Sequence, residues 1–455
     1  MKERSDRARA GTSSAAGLTR RHFLAAASTS VIAGPAFAQA GATDVDVAIV
    51  GGGAAGIAAA RKIAESGRSY VVLEAGPRLG GRARTVEALG MEVDLGCGLI
   101  SRDFAPLMAA AEGVNVTIAD LPPGPRLFVE RQDSKESAYD GFLSTLGRAR
   151  QDIRAAAFAG KDVAAASVVP SAGAWAGLAA DVIGPLSVGR GLKTLSTLDL
   201  ALRSPPIDDA TSPIGIGALL QTLSAWLNVQ TDAPVTLITH AGRVHTLSVK
   251  GQRGVIRARA IILAVPAPVI ASGGIKFNPP LPKRLGAAFD DCPAGDIEQV
   301  AFRLAADPLR LQPDERILPR VVGTPAILRG RVNGSDLHIL TFGDAAAREI
   351  AEKGEEAGLR LARAFMAEAF GLEPEAISAV ACSAWATDPL IQGAMVAAAP
   401  GKSAQRRLFE EPVQTRIFLA GEYTSTSAWG SLAGAWQSGE VAAAKALRLV
   451  GGGPA

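Results

Sequence analysis

A glycine-rich turn joins a strand pattern to a helix pattern in VDVAIVGGGAAGIAAARKIAESG, from Val45 to Gly67. The apolar run before the turn is typical of a buried parallel strand. After the turn, apolar residues recur at helical spacing until Gly67, a residue type that commonly ends helices. A second apolar run, Ser69 to Leu73, follows directly. The pattern predicts a strand–helix–strand unit and therefore an α/β fold.

Three glycines in this turn have the spacing G-x-G-x-x-G, at Gly51, Gly53 and Gly56. The first permits a tight turn, the second lets a pyrophosphate approach the backbone, and the third lets the helix pack on the strand. Glu74 follows the second strand, 23 residues after Gly51. A carboxylate there accepts hydrogen bonds from a ribose diol, so the sequence predicts a dinucleotide site. These residues do not separate NAD from FAD.

The residues after Glu74 are more specific. LEAGPRLGGRART places Arg78, Gly80, Gly81 and Arg82 just beyond the carboxylate. This segment resembles the second signature of the flavin-containing amine oxidase family, which includes monoamine, polyamine and L-amino-acid oxidases. The two arginines supply positive charge, and the two glycines let the backbone approach closely, which suits the second half of a dinucleotide.

Five more blocks resemble the same family, in the same order. They are VDLGCGLI (93–100), APVTLI with Val235, AIILAVPAPVI with IKFNPPLP, WATDPLIQGAM with APG, and RIFLAGEYTSTSAWGSLAGAWQSGEVAA near the end. The resemblance implies non-covalent FAD, because alanine stands at Ala394, where some relatives attach flavin through cysteine. It implies cofactor contacts at Gly51, Gly53, Ala54, Ala55, Gly56, Glu74, Ala75, Arg78, Gly80, Gly81, Arg82, Gly96, Cys97, Gly98, Val235, Trp385, Gly421, Glu422, Ser431, Leu432 and Ala435.

The resemblance also implies a discontinuous Rossmann-like FAD-binding domain with an inserted α+β substrate domain. The final glycine-rich segment is predicted to begin a helix near Gly434, with its N-terminus toward the flavin. LFVERQDSKESAYDG, residues 127–141, is predicted to be a polar surface segment. The expected boundaries are 44–103, 212–275 and 401–449 for the FAD-binding domain, and 104–211 and 276–400 for the substrate domain.

The chain departs from the family where substrate is expected. Gln299 stands where the family usually has a lysine near the flavin, and glutamine has neither charge nor basicity. The positions that often carry aromatic rings around the substrate fall on Met395, Ser431 and Leu99. Trp429, two residues before Ser431, could supply a ring instead. These four positions, Gln299, Met395, Ser431 and Leu99, are the predicted substrate-facing residues.

Several other polar and aromatic residues have alternative interpretations. Trp385 and Trp436 also fit simple packing, and the histidines outside the leader and Asp388 fit strand or surface positions. The spacing of histidines and cysteines does not match a metal site. Three residues are unassigned candidates for binding a substrate carboxylate: Arg303, Arg320 and Arg329.

The first 38 residues are similar to a twin-arginine export signal. Arg20 and Arg21 precede a weakly apolar stretch, and Ala36-Phe37-Ala38 forms a small-residue cleavage site, so the expected mature start is Gln39. The leader has six basic and two acidic residues, so its removal changes the net charge from +3 to −1. The basic excess therefore gives no reason to expect nucleic-acid binding. The expected location is the periplasm, reached as a folded protein with its cofactor loaded.

Three functional hypotheses follow. The first is an FAD-dependent oxidoreductase acting on a C–N bond of an amine or amino acid. Its expected partners are a small-molecule substrate, the twin-arginine translocase and oxygen or a periplasmic electron acceptor. The second is a flavoenzyme of the same fold that performs desaturation or C–C oxidation, since the aromatic cage serves amines. The third is an exported FAD-binding protein without catalysis.

Overall fold

The computed structural model describes residues 43–205, 207–305 and 307–451. The predicted export signal, residues 1–38, lies outside them. In the described part, the strands are β1 (Thr43–Val50), β2 (Tyr70–Leu73), β3 (Thr85–Ala88), β4 (Met91–Asp94), β5 (Ala119–Asp120), β6 (Pro125–Val129), β7 (Gln132–Asp133), β8 (Ala210–Thr211), β9 (Val229–Gln230), β10 (Val235–Ala241), β11 (Val244–Val249), β12 (Ile256–Leu263), β13 (Lys276–Asn278), β14 (Ile297–Arg303), β15 (Arg316–Pro319), β16 (Ala326–Arg329), β17 (Leu337–Gly343), β18 (Val380–Cys382) and β19 (Ile417–Leu419).

The α-helices of the same residues range from one turn to more than six turns in length. They are α1 (Ala54–Glu65), α2 (Ala105–Gly113), α3 (Glu136–Phe158), α4 (Ala176–Ile183), α5 (Pro185–Val188), α6 (Thr197–Leu202), α7 (Ile216–Ser224), α8 (Ala267–Ala271), α9 (Lys283–Asp291), α10 (Asp344–Lys353), α11 (Glu355–Phe370) and α12 (Leu432–Val450). Within the described residues, no helix is both long enough and apolar enough to cross a lipid bilayer.

The larger sheet has the strand order β13-β10-β11-β12-β1-β2-β9, with β19 also beside β12. β1, β2, β12 and β19 run parallel, so their carboxyl ends meet along one edge. The predicted parallel strand from Ala260 to Val265 is the second half of β12. The strand begins earlier because its first residues pair antiparallel with β11.

Two helices, α1 and α12, pack on each other against one face of this sheet. Their backbones approach so closely that a Cβ at Gly439 would overlap the carbonyl oxygen of Ala55. Ile57 and Ile63 of α1 are fully buried in the same core as Trp436 of α12. Helix α12 is thereby packed against the first strand–helix–strand unit.

The second sheet has the order β18-β14-β17-β16-β15-β6-β7. Its core contains Phe302, Phe342 and Phe365, the last of these from α11. The two sheets alternate along the chain. The second sheet is formed by β6, β7 and β14–β18, whereas the larger sheet is formed by β1, β2, β9–β13 and β19. The predicted class is therefore confirmed: an α/β fold with a discontinuous Rossmann-like domain and an inserted α+β domain.

The prediction that residues 127–141 form a polar surface segment is confirmed for most of them, because residues 130–133, 135–137 and 140 are exposed and only Leu127 is buried. This segment contains most of β6, all of β7 and the start of the 23-residue helix α3. Phe142, Leu146 and Ile153 bury one face of α3 against α4 and α6. Short apolar runs between many polar residues give only a weak local signal for a strand or a helix. Packing against distant elements stabilises the secondary structure of this region.

Candidate active site at the carboxyl edge of the larger sheet

Three sequence motifs meet where the parallel strands end. Gly51 follows β1 and Glu74 follows β2, while Gly421 and Glu422 follow β19 after a single alanine. Parallel neighbours place their carboxyl ends together, so Gly51 and Gly421 lie at the same edge of the sheet although 369 residues separate them in sequence. Ligands of open α/β sheets bind at this edge.

The two glycine motifs form one wall of the site. Gly80 N donates to Gly52 O at 2.8 Å, so the second motif lies against the first. Gly51 has φ of +101°, and a Cβ there would overlap the carbonyl oxygen of Ala264. A Cβ at Gly53 would instead meet only the Cα of Gly81, at 3.9 Å. The backbone is therefore closely packed against the protein at Gly51, whereas space is open beside Gly53.

The Glu74 carboxylate is held in place by backbone donors. One oxygen accepts from Gly52 N at 2.6 Å and the other from Gly76 N at 2.8 Å. A carboxylate has about four lone-pair sites, so each oxygen retains capacity for a ribose hydroxyl. Ala233 N donates to Glu74 O at 2.8 Å, which brings the start of β10, with Val235, next to this carboxylate and to Ala75.

Arg82 connects three segments that are far apart in sequence. Its guanidinium donates to the Ala394 carbonyl and lies 3.3 Å from Glu422 Oε1. Its own carbonyl accepts from Cys97 N at 3.0 Å. The family signature arginine therefore holds the predicted flavin-facing segments around one point. Arg78, by contrast, donates to carbonyls of its own turn, at Gly81 and nearby residues, and so shapes the second glycine motif.

Glu422 is 4% exposed and accepts hydrogen bonds at both carboxylate oxygens. Oε1 accepts from Val396 N at 3.3 Å as well as from Arg82, and Oε2 accepts from Gly430 N at 2.9 Å. A buried carboxylate with these partners fixes the loop between β19 and α12 relative to the segment around Ala394.

Helix α12 begins at Leu432, two residues before the predicted start. Ser431 is its N-cap: Oγ accepts from Gly434 N at 3.0 Å and donates to Ala428 O at 2.6 Å. The N–H groups of Leu432 and Ala433 have no acceptor within the helix, and Ala435 N bonds normally to Ser431 O. The cap explains serine at 431, because the side chain must be short and accept a hydrogen bond there.

These features fit a dinucleotide with a flavin. The open side of Gly53 and the N-terminus of α1, with Ala54, Ala55 and Gly56, suit a pyrophosphate. Glu74 suits a ribose, and the N-terminus of α12 can stabilise negative charge on a flavin carbonyl. Arg82 is the cation of this wall that reaches across the site.

Gln299 acts as a link between the two domains. Its Oε1 accepts from Gly96 N at 2.6 Å, in the segment that contains Cys97, Gly98 and Leu99. Trp385 covers Gly96 from the other side, since a Cβ at Gly96 would lie 2.9 Å from its ring. Burial raises the pKa of the Cys97 thiol to about 12, so the residue is a neutral thiol at physiological pH.

Replacing the Gln299 amide tests this link. We expect Gln299→Leu to lower the free energy of unfolding by about 1–3 kcal/mol, because Gly96 N–H loses its acceptor in a part-buried site. Gln299→Glu keeps an acceptor oxygen and should cost less. Urea denaturation of both variants measures the difference. Equal stability of the two variants would show that the contact contributes nothing.

Glu298, the neighbour of Gln299, is fully buried on the opposite side of β14. It accepts from Ser383 Oγ and from Ala386 N at 3.0 Å, and Ser383 Oγ accepts from Gln299 N at 2.8 Å. Burial outweighs these donors and raises the pKa of Glu298 to about 7. This carboxyl therefore holds the turn that carries Trp385.

The raised pKa of Glu298 predicts a stability change with pH. The unfolded chain releases this proton near pH 4.3, whereas the folded chain keeps it up to about pH 7. The contribution of Glu298 is therefore most favourable at low pH, and about 3 kcal/mol is lost as pH rises between these values. Glu298→Gln should remove that loss. Urea unfolding of both proteins from pH 5 to pH 8 measures it, and parallel profiles would contradict it.

The two predicted aromatic-cage positions lie close together. A Cβ at Gly430 would be 3.1 Å from Met395 Cγ, and Ser431 is the next residue. Trp429 does not supply a ring, because it is 0% exposed and two guanidiniums, of Arg203 and Arg406, lie 4.8 and 4.6 Å from its ring centre. The Trp429 ring instead packs in the core beneath the loop between β19 and α12.

Most of the alternative candidates have structural contacts. Arg303 pairs with Asp336 at the surface, and Arg320 lies over the ring of Trp175. His240 and His245 face each other across β10 and β11, His338 stacks on Phe302, and Asp388 caps its own turn through Leu390 N. Trp436 is buried in the core beneath α12 and donates to Glu440.

Arg329 alone of the three arginine candidates reaches the predicted flavin-facing segment. Its guanidinium would lie 3.4 Å from a Cβ at Gly98, but Asp314 already neutralises it at 2.7 Å. The buried arginine Arg203, beside Gly430, was not singled out by sequence reasoning. It stands alone after a short helix, so no local pattern marks it.

Comparison with known proteins agrees with this geometry. The family described as flavin containing amine oxidoreductase matches residues 126–447, and an NAD(P)-binding Rossmann-like domain matches residues 49–111. The first of these spans most of the chain. The chain belongs to the flavin-containing amine oxidoreductase family. FAD is therefore its cofactor, and the fold is that of a flavin-dependent oxidoreductase.

Individual relatives are distant. Lysine-specific histone demethylase 1 homolog 2 of Arabidopsis thaliana is 26% identical over 449 residues, which cover 90% of this chain and 59% of that protein. Polyamine oxidase 4 of Oryza sativa subsp. japonica is 23% identical over 458 residues, covering 88% of each chain. A solved structure of putrescine oxidase bound to putrescine superposes with a TM-score of 0.77 at 19% identity, covering 90% of this chain and all of that one. At this identity the superposition establishes the shared fold.

Proposed function

We propose that this protein oxidises a C–N bond of an amine or amino acid. The observation that carries the proposal is the convergence on Arg82 of the Ala394, Cys97 and Glu422 segments. This convergence supports a substrate site formed by these segments beside the dinucleotide wall. When bound, FAD supplies the acceptor for a hydride from the carbon next to the substrate nitrogen. The resulting imine hydrolyses in water.

The chain's own residues orient the substrate and exclude water. Met395 lies next to Gly430, and Ser431 contributes a hydroxyl that is already engaged in capping α12. Gln299 cannot act as a base and is bound to Gly96. Orientation and desolvation of a neutral amine therefore provide most of the catalysis.

The electron acceptor is oxygen or a periplasmic carrier. We favour a carrier, since glutamine replaces the lysine that the family usually places near the flavin. The similarity of residues 1–38, outside the described residues, to a twin-arginine export signal supports a periplasmic location and the twin-arginine translocase as partner. Peroxide formation as fast as substrate turnover would contradict a dedicated carrier, and cytoplasmic retention of the intact chain would contradict export.

Anaerobic reduction tests the proposed reaction. The purified holoprotein is mixed without oxygen with mono-, di- and polyamines, amino acids and alkaloids, and flavin absorbance is followed. Bleaching by an amine, with release of the corresponding aldehyde or keto acid, supports C–N oxidation. Purified protein that lacks flavin, or flavin that no amine bleaches, contradicts it.

A second candidate is desaturation or C–C oxidation by the same fold. The observation that favours it is the absence of aromatic side chains at Met395 and Ser431, together with the buried position of Trp429. A cyclic or isoprenoid compound that bleaches the flavin where amines fail would select this reaction. Stable FAD that no compound in either panel reduces would select a non-catalytic FAD-binding protein.

A further inference from the structure

Three arginines converge on a cavity of about 60 Å³ behind the candidate active site. Arg150 and Arg154 reach it from α3, and Arg203 reaches it from the end of α6. The remaining lining residues are apolar or neutral, and Ser187 contributes a hydroxyl. A cavity of this volume holds about four water molecules or one small oxyanion.

No carboxylate neutralises these arginines by direct contact. In the part of the chain that the structure describes, none of the three takes part in an ion pair. Arg203 is buried and donates only to neutral groups: Trp429 O at 3.2 Å, Ser187 Oγ at 2.6 Å and Ser187 O at 3.3 Å. Burial lowers its pKa to about 10, although the more distant Glu422 and Asp208 oppose that change.

Arg150 and Arg154 add to this charge. They lie four residues apart on α3, which places them on one face of the helix, where like charges repel. Partial loss of hydration, together with the charge of Arg154, lowers the pKa of Arg150. Arg150 and Arg154 are exposed to solvent, whereas Ile153, Ile183 and Arg203 are buried. A bound anion would supply the missing countercharge.

We infer that Arg150, Arg154, Arg203 and Ser187 form a binding site for a small oxyanion, a carboxylate, sulfate or phosphate group. Arg203 connects this site to the candidate active site, because its guanidinium would lie 3.3 Å from a Cβ at Gly430, next to Met395. The oxyanion is therefore either an anionic group of the substrate or a free anion bound beside it. The site itself does not depend on the proposed reaction.

Calorimetric titration of the holoprotein with sodium sulfate and with sodium acetate tests the site. We expect the wild-type protein to bind sulfate, and Arg150→Gln/Arg154→Gln to weaken binding by about tenfold or more, because two charged donors are lost. Arg148→Gln is the matched control, since Arg148 is exposed on α3 like Arg150 and Arg154 but does not line the cavity. Circular dichroism verifies that both variants are folded.

A direct comparison excludes general salt effects. Sulfate stabilises many proteins by exclusion from their surface, and this effect should be the same in all three proteins. A larger sulfate-induced rise in unfolding temperature in the wild type and in Arg148→Gln than in the double variant supports a site. Absence of binding heat for both anions in the wild type, or equal affinity in the double variant, overturns the inference.

A competition experiment identifies the source of the anion. If sulfate slows flavin reduction competitively with the best amine, the oxyanion is a group of the substrate. If sulfate binds without competition, the site takes a free anion. Because calorimetry requires no turnover, failure of the proposed reaction would leave the test of the anion site intact.

Discussion

Gly51→Ala should abolish FAD binding. At Gly51 the backbone has φ of +101°, a conformation that costs a residue with a Cβ about 1–3 kcal/mol. The added Cβ would also overlap the carbonyl oxygen of Ala264, which follows β12 and is held in place because Ala264 N donates to Val50 O at 2.7 Å. The turn must shift, and the backbone beside Gly53 then no longer fits a pyrophosphate.

The ratio of flavin to protein absorbance in the purified protein measures this effect. Gly147→Ala is the matched control, because a Cβ at Gly147 meets no atom within 4 Å and the residue lies inside α3. The control should keep its full flavin and gain about 0.5–1 kcal/mol of stability. A Gly51→Ala protein that retains as much flavin as this control would contradict the assigned role of the turn.

The largest effect on stability is expected for Asp199→Asn. Asp199 and Arg406 are both 2% exposed, and two guanidinium nitrogens each donate to the carboxylate at 2.7 Å. Ala398 N adds a third donor at 2.7 Å. An asparagine leaves the buried guanidinium without its countercharge, so the free energy of unfolding should fall by about 3–5 kcal/mol.

This ion pair also supports the candidate active site. Arg406 donates to Tyr423 O and to Val396 O, each at 3.0 Å, and these residues flank Glu422 and Met395 in sequence. We therefore expect Asp199→Asn to lose FAD more readily as well. Urea unfolding followed by tryptophan fluorescence measures stability, and dilution of the holoprotein measures FAD retention.

Two further proteins make the Asp199 result specific. Glu411→Gln removes an exposed pair with Arg284 and should change stability by at most about 1 kcal/mol. Asp199→Leu combined with Arg406→Met removes both charges and should recover part of the loss, because no isolated charge stays buried. A loss of less than 1 kcal/mol in Asp199→Asn would mean that solvent reaches the pair.

The wall formed by the two glycine motifs was predictable because these motifs are local in sequence. Gly51, Gly53 and Glu74 derive their roles from short-range geometry: a turn, a helix start and the end of a strand. The same is true of the helix after Ser431, although the sequence placed its start two residues late. Here serine itself supplied an overlooked signal, since serine followed by a helix pattern is a common N-cap.

The substrate side was less predictable because its contacts join distant parts of the chain. Gln299 was expected to face the flavin in place of a lysine, and its bond to Gly96, 203 residues away, is visible only in the folded chain. Trp429 was a candidate ring for the substrate, but two arginines from separate segments bury it. No local pattern predicts such pairs, because each depends on how distant segments of the chain pack together.

The amino-acid sequence alone was sufficient for the family, the fold class and FAD as the cofactor, because each rests on motifs whose geometry is set within about 30 residues. The tertiary structure was needed to show that Arg82 gathers three segments and that Asp199 and Arg406 support the loop before α12. It also revealed three arginines around one cavity. Burial and charge compensation arise only when remote segments pack together, so they cannot be determined from neighbouring residues.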